Sequence, residues 1–217
     1  MNDHRRTPTT ARIAFGPLDV TFDDSILVPR PWTVAQSTWG RQVLDLGPDG
    51  PVLELCSGAG HIGLAAVHGT TRTLVQVDRD ETACRYAREN AERAGVGADV
   101  RCDDLEDAVR GDERFALVLA DPPWVPRAGV AAFPDDPVLA IDGGEDGLDL
   151  ARTCLRVAAR HLLPEGAVLL QLGSRGQVDG LGVDLEGARL VVADVRDFER
   201  GVLVLLHAGP VPASQRT

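Results

Sequence analysis

Apolar and polar residues alternate in the segments "ARIAF" and "LDVTF", which Gly16-Pro17 separates. That pattern predicts a hairpin near the start of the chain. The prolines of "ILVPRPW" impose an extended run after it. Thr33 then stands as an N-cap for a helix through about Leu46, with Val34, Thr38, Trp39, Val43 and Leu46 near one face. From Val52 onward the period changes regularly. "PVLEL" reads as a strand, "HIGLAAVH" as a helix and "RTLVQVD" as a strand. "RDETACRYARENAERAG" reads as a helix with Ala83, Ala87, Ala91 and Ala94 on one face, closed by Gly95. "ADVRC" is a further strand, "LEDAVR" a short helix and "FALVLAD" a strand.

A long loop through "PDDPVLAIDGGEDG" follows, then a helix carrying Leu148, Ala151, Leu155, Ala158 and Leu162, ended by Pro164 and Gly166. "AVLLQLG", "ARLVVADV" and "GVLVLLHA" complete the strands, the last two as an antiparallel edge hairpin through "RDFER". Strands alternating with helices imply a parallel sheet covered on both faces. The fold class expected is α/β: a doubly wound, mostly parallel, seven-stranded Rossmann-like sheet with an antiparallel C-terminal hairpin and a short N-terminal hairpin and helix extension. One domain spans 12–209, its extension 12–48, and tails 1–11 and 210–217 are expected to be disordered.

The loop "VLELCSGAGHIG" follows the first sheet strand and opens a helix. Gly58, Gly60 and Gly63 satisfy G-x-G-x-x-G, and Asp78 ends the next strand twenty residues after Gly58. On its face this is a dinucleotide fingerprint, but S-adenosylmethionine occupies the same architecture. Glu54 separates the two. A carboxylate just before the loop repels a pyrophosphate and favours a ligand with an ammonium and a sulfonium. Asp103 and Asp104 after the third strand point the same way, since a carboxylate accepts from the adenine amino group. Ser57, Gly58, Gly60, Asp78 and Arg79 complete the cofactor contacts expected.

"LVLADPPWVPR" ends a buried strand on a stiff turn, because prolines donate nothing to a sheet ladder. The turn Asp121-Pro122-Pro123-Trp124 lies where open α/β sheets bind ligands. The Asp121 carboxylate and the Pro122 carbonyl are suited to accept from the N–H groups of a neutral nitrogen, and Trp124 to form a flat wall. Catalysis of this kind is positioning plus electrostatic stabilisation.

The D/N-P-P-Y/W turn is similar to that of class I methyltransferases acting on nitrogen. The longer constellation resembles the release-factor glutamine N5-methyltransferases, the HemK-type family. "ILVPRPWT", "LELCSGAGHIGLA", "LAIDGGEDGLDLAR" and "DFERGVLVLL" carry that resemblance over roughly 12–209. It implies S-adenosylmethionine as cofactor and a protein glutamine amide as acceptor, with a release factor among the partners. Several features depart from the family. Asp121 replaces the asparagine of NPPY, Trp124 its tyrosine and Trp32 the acid after PRP, while Cys56 stands for the first loop glycine, which a strand end tolerates. No counterpart of the separate N-terminal helical domain of bacterial members is expected in these 217 residues.

Composition narrows the alternatives. Formal charge is -11 with every basic residue an arginine, which argues against a broad phosphate-binding surface. A nucleic-acid base amino group therefore stays open as acceptor but disfavoured, and a small-molecule amine also fits. An NAD-dependent oxidoreductase rests on the glycine loop and Asp78, yet no proton-donor constellation accompanies it. A binding protein that keeps the fold without catalysis is the reading outside enzymes. Cys56, Cys84, Cys102 and Cys154 form no CxxC pair, so reduced, mostly buried thiols and no metal are expected. "MNDHRRTPTTAR" lacks the apolar run of a secretory signal, and a cytoplasmic protein is expected.

Overall fold

The structure is a computed structural model that describes residues 10–209. The expected tails fall outside these residues apart from Thr10 and Ala11, and Ala11 already belongs to the first strand. β1 (Ala11–Phe15) and β2 (Leu18–Phe22) pair antiparallel across Gly16, which turns at φ +54°. An extended strap leads to α1 (Val34–Leu46). The alternating series is β3 (Val52–Leu55), α2 (His61–Val67), β4 (Leu74–Asp78), α3 (Glu81–Ala94), β5 (Ala98–Cys102) and β6 (Phe115–Ala120). Then come α4 (Val138–Ile141), α5 (Asp149–His161), β7 (Leu162–Leu172), α6 (Arg175–Gly180), α7 (Gly182–Ala188), β8 (Leu190–Phe198) and β9 (Gly201–Ala208).

The sheet has seven strands in the order β5-β4-β3-β6-β7-β9-β8. β3 lies between β4 and β6, so the chain reverses direction across the sheet at the β3–β6 pair. The inner pairs are parallel and β9 runs antiparallel to both β7 and β8. Because side chains alternate along a strand, each buried strand feeds two cores. Leu53, Leu55, Val118 and Ala120 pack towards α5, whereas Val52, Leu117 and Leu119 pack towards α1, α2 and the N-terminal hairpin.

Four sequence expectations are corrected. "LEDAVR" is a pair of turns, with the N–H groups of Asp107 and Ala108 both donating to the Asp104 carbonyl and no helical ladder continuing from it. The buried stripe of α1 is Gln36, Ser37, Gly40 and Leu44 with Trp39, while Thr38 and Leu46 are exposed. Polar residues can face the sheet there because Gln36 Nε2 donates to the carbonyls of Ala120 and Leu169 at 3.0 Å, and Ser37 Oγ to that of Ile62 at 2.9 Å. Leu162 opens β7 rather than closing α5, and Pro164 and Gly166 sit within an irregular strand start. α6 and α7 fill the segment before β8, for which the sequence pattern predicts no helix.

All four cysteines are free thiols, with Cys84 and Cys154 buried. Among the described residues, no helix is long and apolar enough to cross a membrane.

Candidate active site

A cavity of about 750 Å³ opens at the carboxyl ends of β3, β4 and β6. The loop after β3 forms one wall. Cys56 takes φ +57°, a left-handed conformation that glycine adopts freely and cysteine rarely. Gly60 follows at φ +78°, where a Cβ would meet the Gln76 amide at 2.6 Å. The Gly58 N–H donates to Asp78 Oδ2 at 2.8 Å, so the carboxylate ending β4 fixes the loop ending β3. Ser57 is buried, and its Oγ has no hydrogen-bond partner among the described residues.

Ser57, Gly58, Asp78, Arg79 and Asp104 line this cavity, as do Asp121 and Pro123. The structure therefore brings together most of the residues singled out in the sequence. Gly60 shapes the turn without lining the cavity, and Asp103 points its Oδ1 at the Asp104 N–H at 2.9 Å.

Glu54 is the main correction. Leu53 and Leu55 face α5, so strand alternation sends Glu54 to the opposite face, beneath α2. There it is 2 % exposed, accepts from Gln76 Nε2 at 2.5 Å and from the Gly63 backbone, and does not line the cavity. Burial pushes its carboxyl up to about 7 despite these two bonds, and the charges of Asp121 and Asp78 add to the rise. A Cβ at Gly63 would run into its carboxylate, so glycine there lets α2 sit over Glu54. Gln76 is its register partner on β4. A glutamine in the middle of an otherwise apolar strand was the signal that could have found this pair.

Asp121 follows β6 directly, and burial pushes its carboxyl up to about 7. Asp78 is likewise raised, chiefly by burial. Neither is paired with a cation among the described residues, and the nearby Arg30 is engaged by Asp136. Pro122 and Trp124 do not line the cavity. The Trp124 ring packs instead over Gly173, where a Cβ would lie 2.5 Å from Cε3. Trp32 is half-buried and flanked by the guanidinium groups of Arg30 and Arg200 at 5.6 and 5.5 Å. His61 packs edge-on against Phe15, and burial lowers its imidazole to about 3.

Sequence reasoning missed the strap that forms the opposite wall. Ser25, Ile26, Leu27 and Val28 line the cavity. The anchor of this strap is Asp23, buried at the end of β2, which accepts from Tyr86 Oη at 2.7 Å and from the Ser25 N–H at 2.9 Å. Asn90 on α3 clamps the same hairpin, exchanging two bonds with the Thr21 backbone and donating to the Ala59 carbonyl of the glycine loop. The triplet "DDS" before "ILVPRPW" is a turn signal, but Tyr86, the partner of Asp23, lies 63 residues away. Val138 and Leu139 of α4, with Leu150 and Thr153 of α5, close the remaining side.

Comparison with known proteins agrees with this architecture. The family model of the methyltransferase small domain matches residues 40–133. The fold is similar to that of ribosomal protein L11 methylase from Lactobacillus delbrueckii subsp. bulgaricus, with a TM-score of 0.65 at 14% identity over 85% of this chain and 82% of that one. The ribosomal protein uL3 glutamine methyltransferase of Bradyrhizobium diazoefficiens is 40% identical over 129 residues, 56% of this chain and 40% of that protein. The release factor glutamine methyltransferase of Mycolicibacterium smegmatis is 34% identical, and the match covers 70% of this chain and 56% of that protein. This chain thus spans only about half the length of these two relatives. The release factor glutamine methyltransferase of Bradyrhizobium diazoefficiens matches more fully, at 33% identity over 208 residues, 87% of this chain and 68% of that protein. With that match on a Rossmann-like sheet ending in an acid-Pro-Pro-aromatic turn, the chain belongs to the release factor glutamine methyltransferase family.

Proposed function

We propose that the protein is an S-adenosylmethionine-dependent N-methyltransferase whose acceptor is the amide nitrogen of a protein glutamine side chain. The charge of the cavity carries this reading. Asp78, Asp104 and Asp121 face it, no cation is paired with any of them among the described residues, and burial raises the carboxyls of Asp78 and Asp121. A cationic ligand offsets the cost of ionising such groups, and a pyrophosphate adds to it. This favours S-adenosylmethionine over a dinucleotide.

The residues present fit that cofactor. The unpartnered Ser57 Oγ and the open space beside Gly58 leave the loop approachable by a ligand. Ser57 and Gly58 would hold the methionine end. Asp78, with Arg79 beside it, would hold the ribose, and Asp104 the adenine amino group. When bound, the cofactor supplies an electrophilic methyl group. The chain supplies orientation: the Asp121 carboxylate and Pro122 carbonyl accept from the two N–H groups of the acceptor amide and fix its lone pair. With its carboxyl pushed up to about 7, Asp121 is also basic enough to receive the proton that the nitrogen loses on methylation. Trp124 braces the turn through its packing on Gly173.

The test is methyl transfer from S-adenosylmethionine bearing a deuterated methyl group, with a release factor and ribosomal protein uL3 as first acceptors. The expected product carries one labelled methyl on a glutamine side chain by tandem mass spectrometry, and Asp121→Ala abolishes it. A label found on nucleic acid and not on protein would overturn the acceptor class.

A further inference from the structure

We infer that Gln177 is a positioning residue that clamps the Asp121-Pro-Pro-Trp124 turn into its working geometry. The inference rests on the proposed reading of that turn as the methyl-acceptor site. Gln177 lies on α6, outside the cavity, and touches none of the cavity's acids. Its side-chain amide instead joins three chain segments. Nε2 donates to the Trp124 carbonyl at 2.8 Å, and is 3.4 Å from the carbonyls of Asp146 and Gly147. Oε1 accepts from the Gly173 N–H at 2.8 Å, immediately after β7. The N-terminus of α6 is itself fixed, because Ser174 Oγ accepts from the Gln177 N–H at 3.3 Å.

A primary amide of this length meets both demands at any pH, donating to carbonyls on one side and accepting from an N–H on the other. The surrounding glycines make room for it. At Gly147, with φ +81°, a Cβ would lie 2.5 Å from Gln177 Nε2. At Gly173 it would lie 2.9 Å from Oε1. Further along, Val125 exchanges backbone bonds with the 141–143 segment, at 3.0 Å to the Ile141 carbonyl and 2.9 Å from the Gly143 N–H. At the other end the β6 ladder holds Ala120 opposite Leu55 and Leu170. Asp121 thus sits on a stiff segment anchored at both ends, and Gln177 is the side chain that secures the distal anchor. Releasing it loosens the turn, and a misplacement of about 1 Å costs about a hundredfold in rate.

The test uses the full chain with Gln177→Glu and Gln177→Leu. Glutamate still accepts from Gly173 but donates to Trp124 only when protonated; leucine does neither. Both variants are expected to bind S-adenosylmethionine within about twofold of the parent while single-turnover methyl transfer falls about tenfold or more. The Gln177→Glu rate, divided by the parent rate at each pH, recovers as pH falls towards 5, whereas the Gln177→Leu ratio stays low. Rates that fall only in proportion to the folded fraction, or do not fall, overturn the inference. So does a Gln177→Glu ratio that is independent of pH. If the parent methylates nothing, the proposed function fails, and the clamp is judged on the indole N–H signal of Trp124. A shift of that signal in both variants upholds the clamp, and an unmoved signal overturns it.

Discussion

The backbone N–H of Gly58 points at Asp78 Oδ2 from 2.8 Å, so one carboxylate both closes β4 and sets the loop beyond β3. Asp78→Asn keeps an acceptor for that N–H and loses the charge, whereas Asp78→Ala loses both. Hydrogen bonds to charged groups contribute about 1.5–3 kcal/mol, and about 1.4 kcal/mol is a factor of ten in affinity. Calorimetry is therefore expected to show Asp78→Ala weakening S-adenosylmethionine about tenfold or more, with Asp78→Asn between it and the parent. Equal affinity in all three proteins would remove Asp78 from the site.

The strap depends on a buried bond between Tyr86 and Asp23. Burial alone would raise the Asp23 carboxyl, but bonds from Ser25 and Tyr86 outweigh it and hold it below the usual carboxylate range. Tyr86→Phe keeps the packing and removes one donor to that carboxylate. The expected cost is about 1.5–3 kcal/mol in urea unfolding, with faster cofactor release because Ser25 to Val28 lose their anchor. A destabilised variant with unchanged release would show the strap to be held by other contacts.

Stability should fall on both sides of mildly acidic pH. Glu54 and Asp121 have folded-state values of about 7, chiefly from burial, so the native state binds more protons than the unfolded state between the ordinary carboxylate range and about 7. Their penalty is absent below that range and complete above about 7, so stability declines as pH rises through it. Glu113 has the opposite sign. Arg101 donates to both its oxygens and lowers it to about 2, a contribution lost only as pH falls below the ordinary carboxylate range. Burial lowers His61 to about 3, so it too adds stability as pH rises to about 6.5 and offsets one of the two raised carboxyls there. The melting temperature of the ligand-free chain is therefore expected to peak at about pH 4.5, where the Glu113 window ends, and to decline towards pH 8, with S-adenosylmethionine flattening the alkaline side. A melting temperature that rises from pH 5 to 8 without ligand would contradict the uncompensated charge of the cavity.

Methyl transfer should need Asp121 ionised. The pH profile of kcat/KM reports groups of the free enzyme, so it is expected to rise to a plateau with an apparent pKa of about 7. Asp121→Asn, which accepts and donates without titrating, is expected to lose this limb while retaining measurable turnover. An unchanged profile in that variant would assign the limb to another group.

The sheet was legible because period-2 and helical apolar patterns are local, and the glycine loop and proline turn are punctuation that any sequence displays. The cavity acids Asp78, Asp104 and Asp121 were legible for the same reason, standing at or just beyond strand ends. What stayed hidden depends on side chains meeting across distance. Glu54 was expected at the ligand, but alternation with Leu53 and Leu55 turns it under α2 towards Gln76. Trp124 was expected to wall the site and packs over Gly173. The buried stripe of α1 misled a hydrophobic reading because Gln36 and Ser37 are satisfied by backbone carbonyls of neighbouring elements. Tyr86 and Gln177 announce nothing locally, since their partners lie 63 and 53 residues away.

Selection of a cationic cofactor by an acid-lined cavity is open to direct measurement. Calorimetric titration of the purified chain at pH 7.5 with S-adenosylmethionine, S-adenosylhomocysteine and NAD, each against parent and Asp121→Asn, tests it directly (the pH being about half a unit above the raised carboxyls). The expected result is saturable binding of both adenosyl ligands, tighter for the sulfonium than for the neutral sulfide in the parent, with that preference reduced in the variant. Binding of NAD with none of S-adenosylmethionine would show that the cavity does not select for a cation.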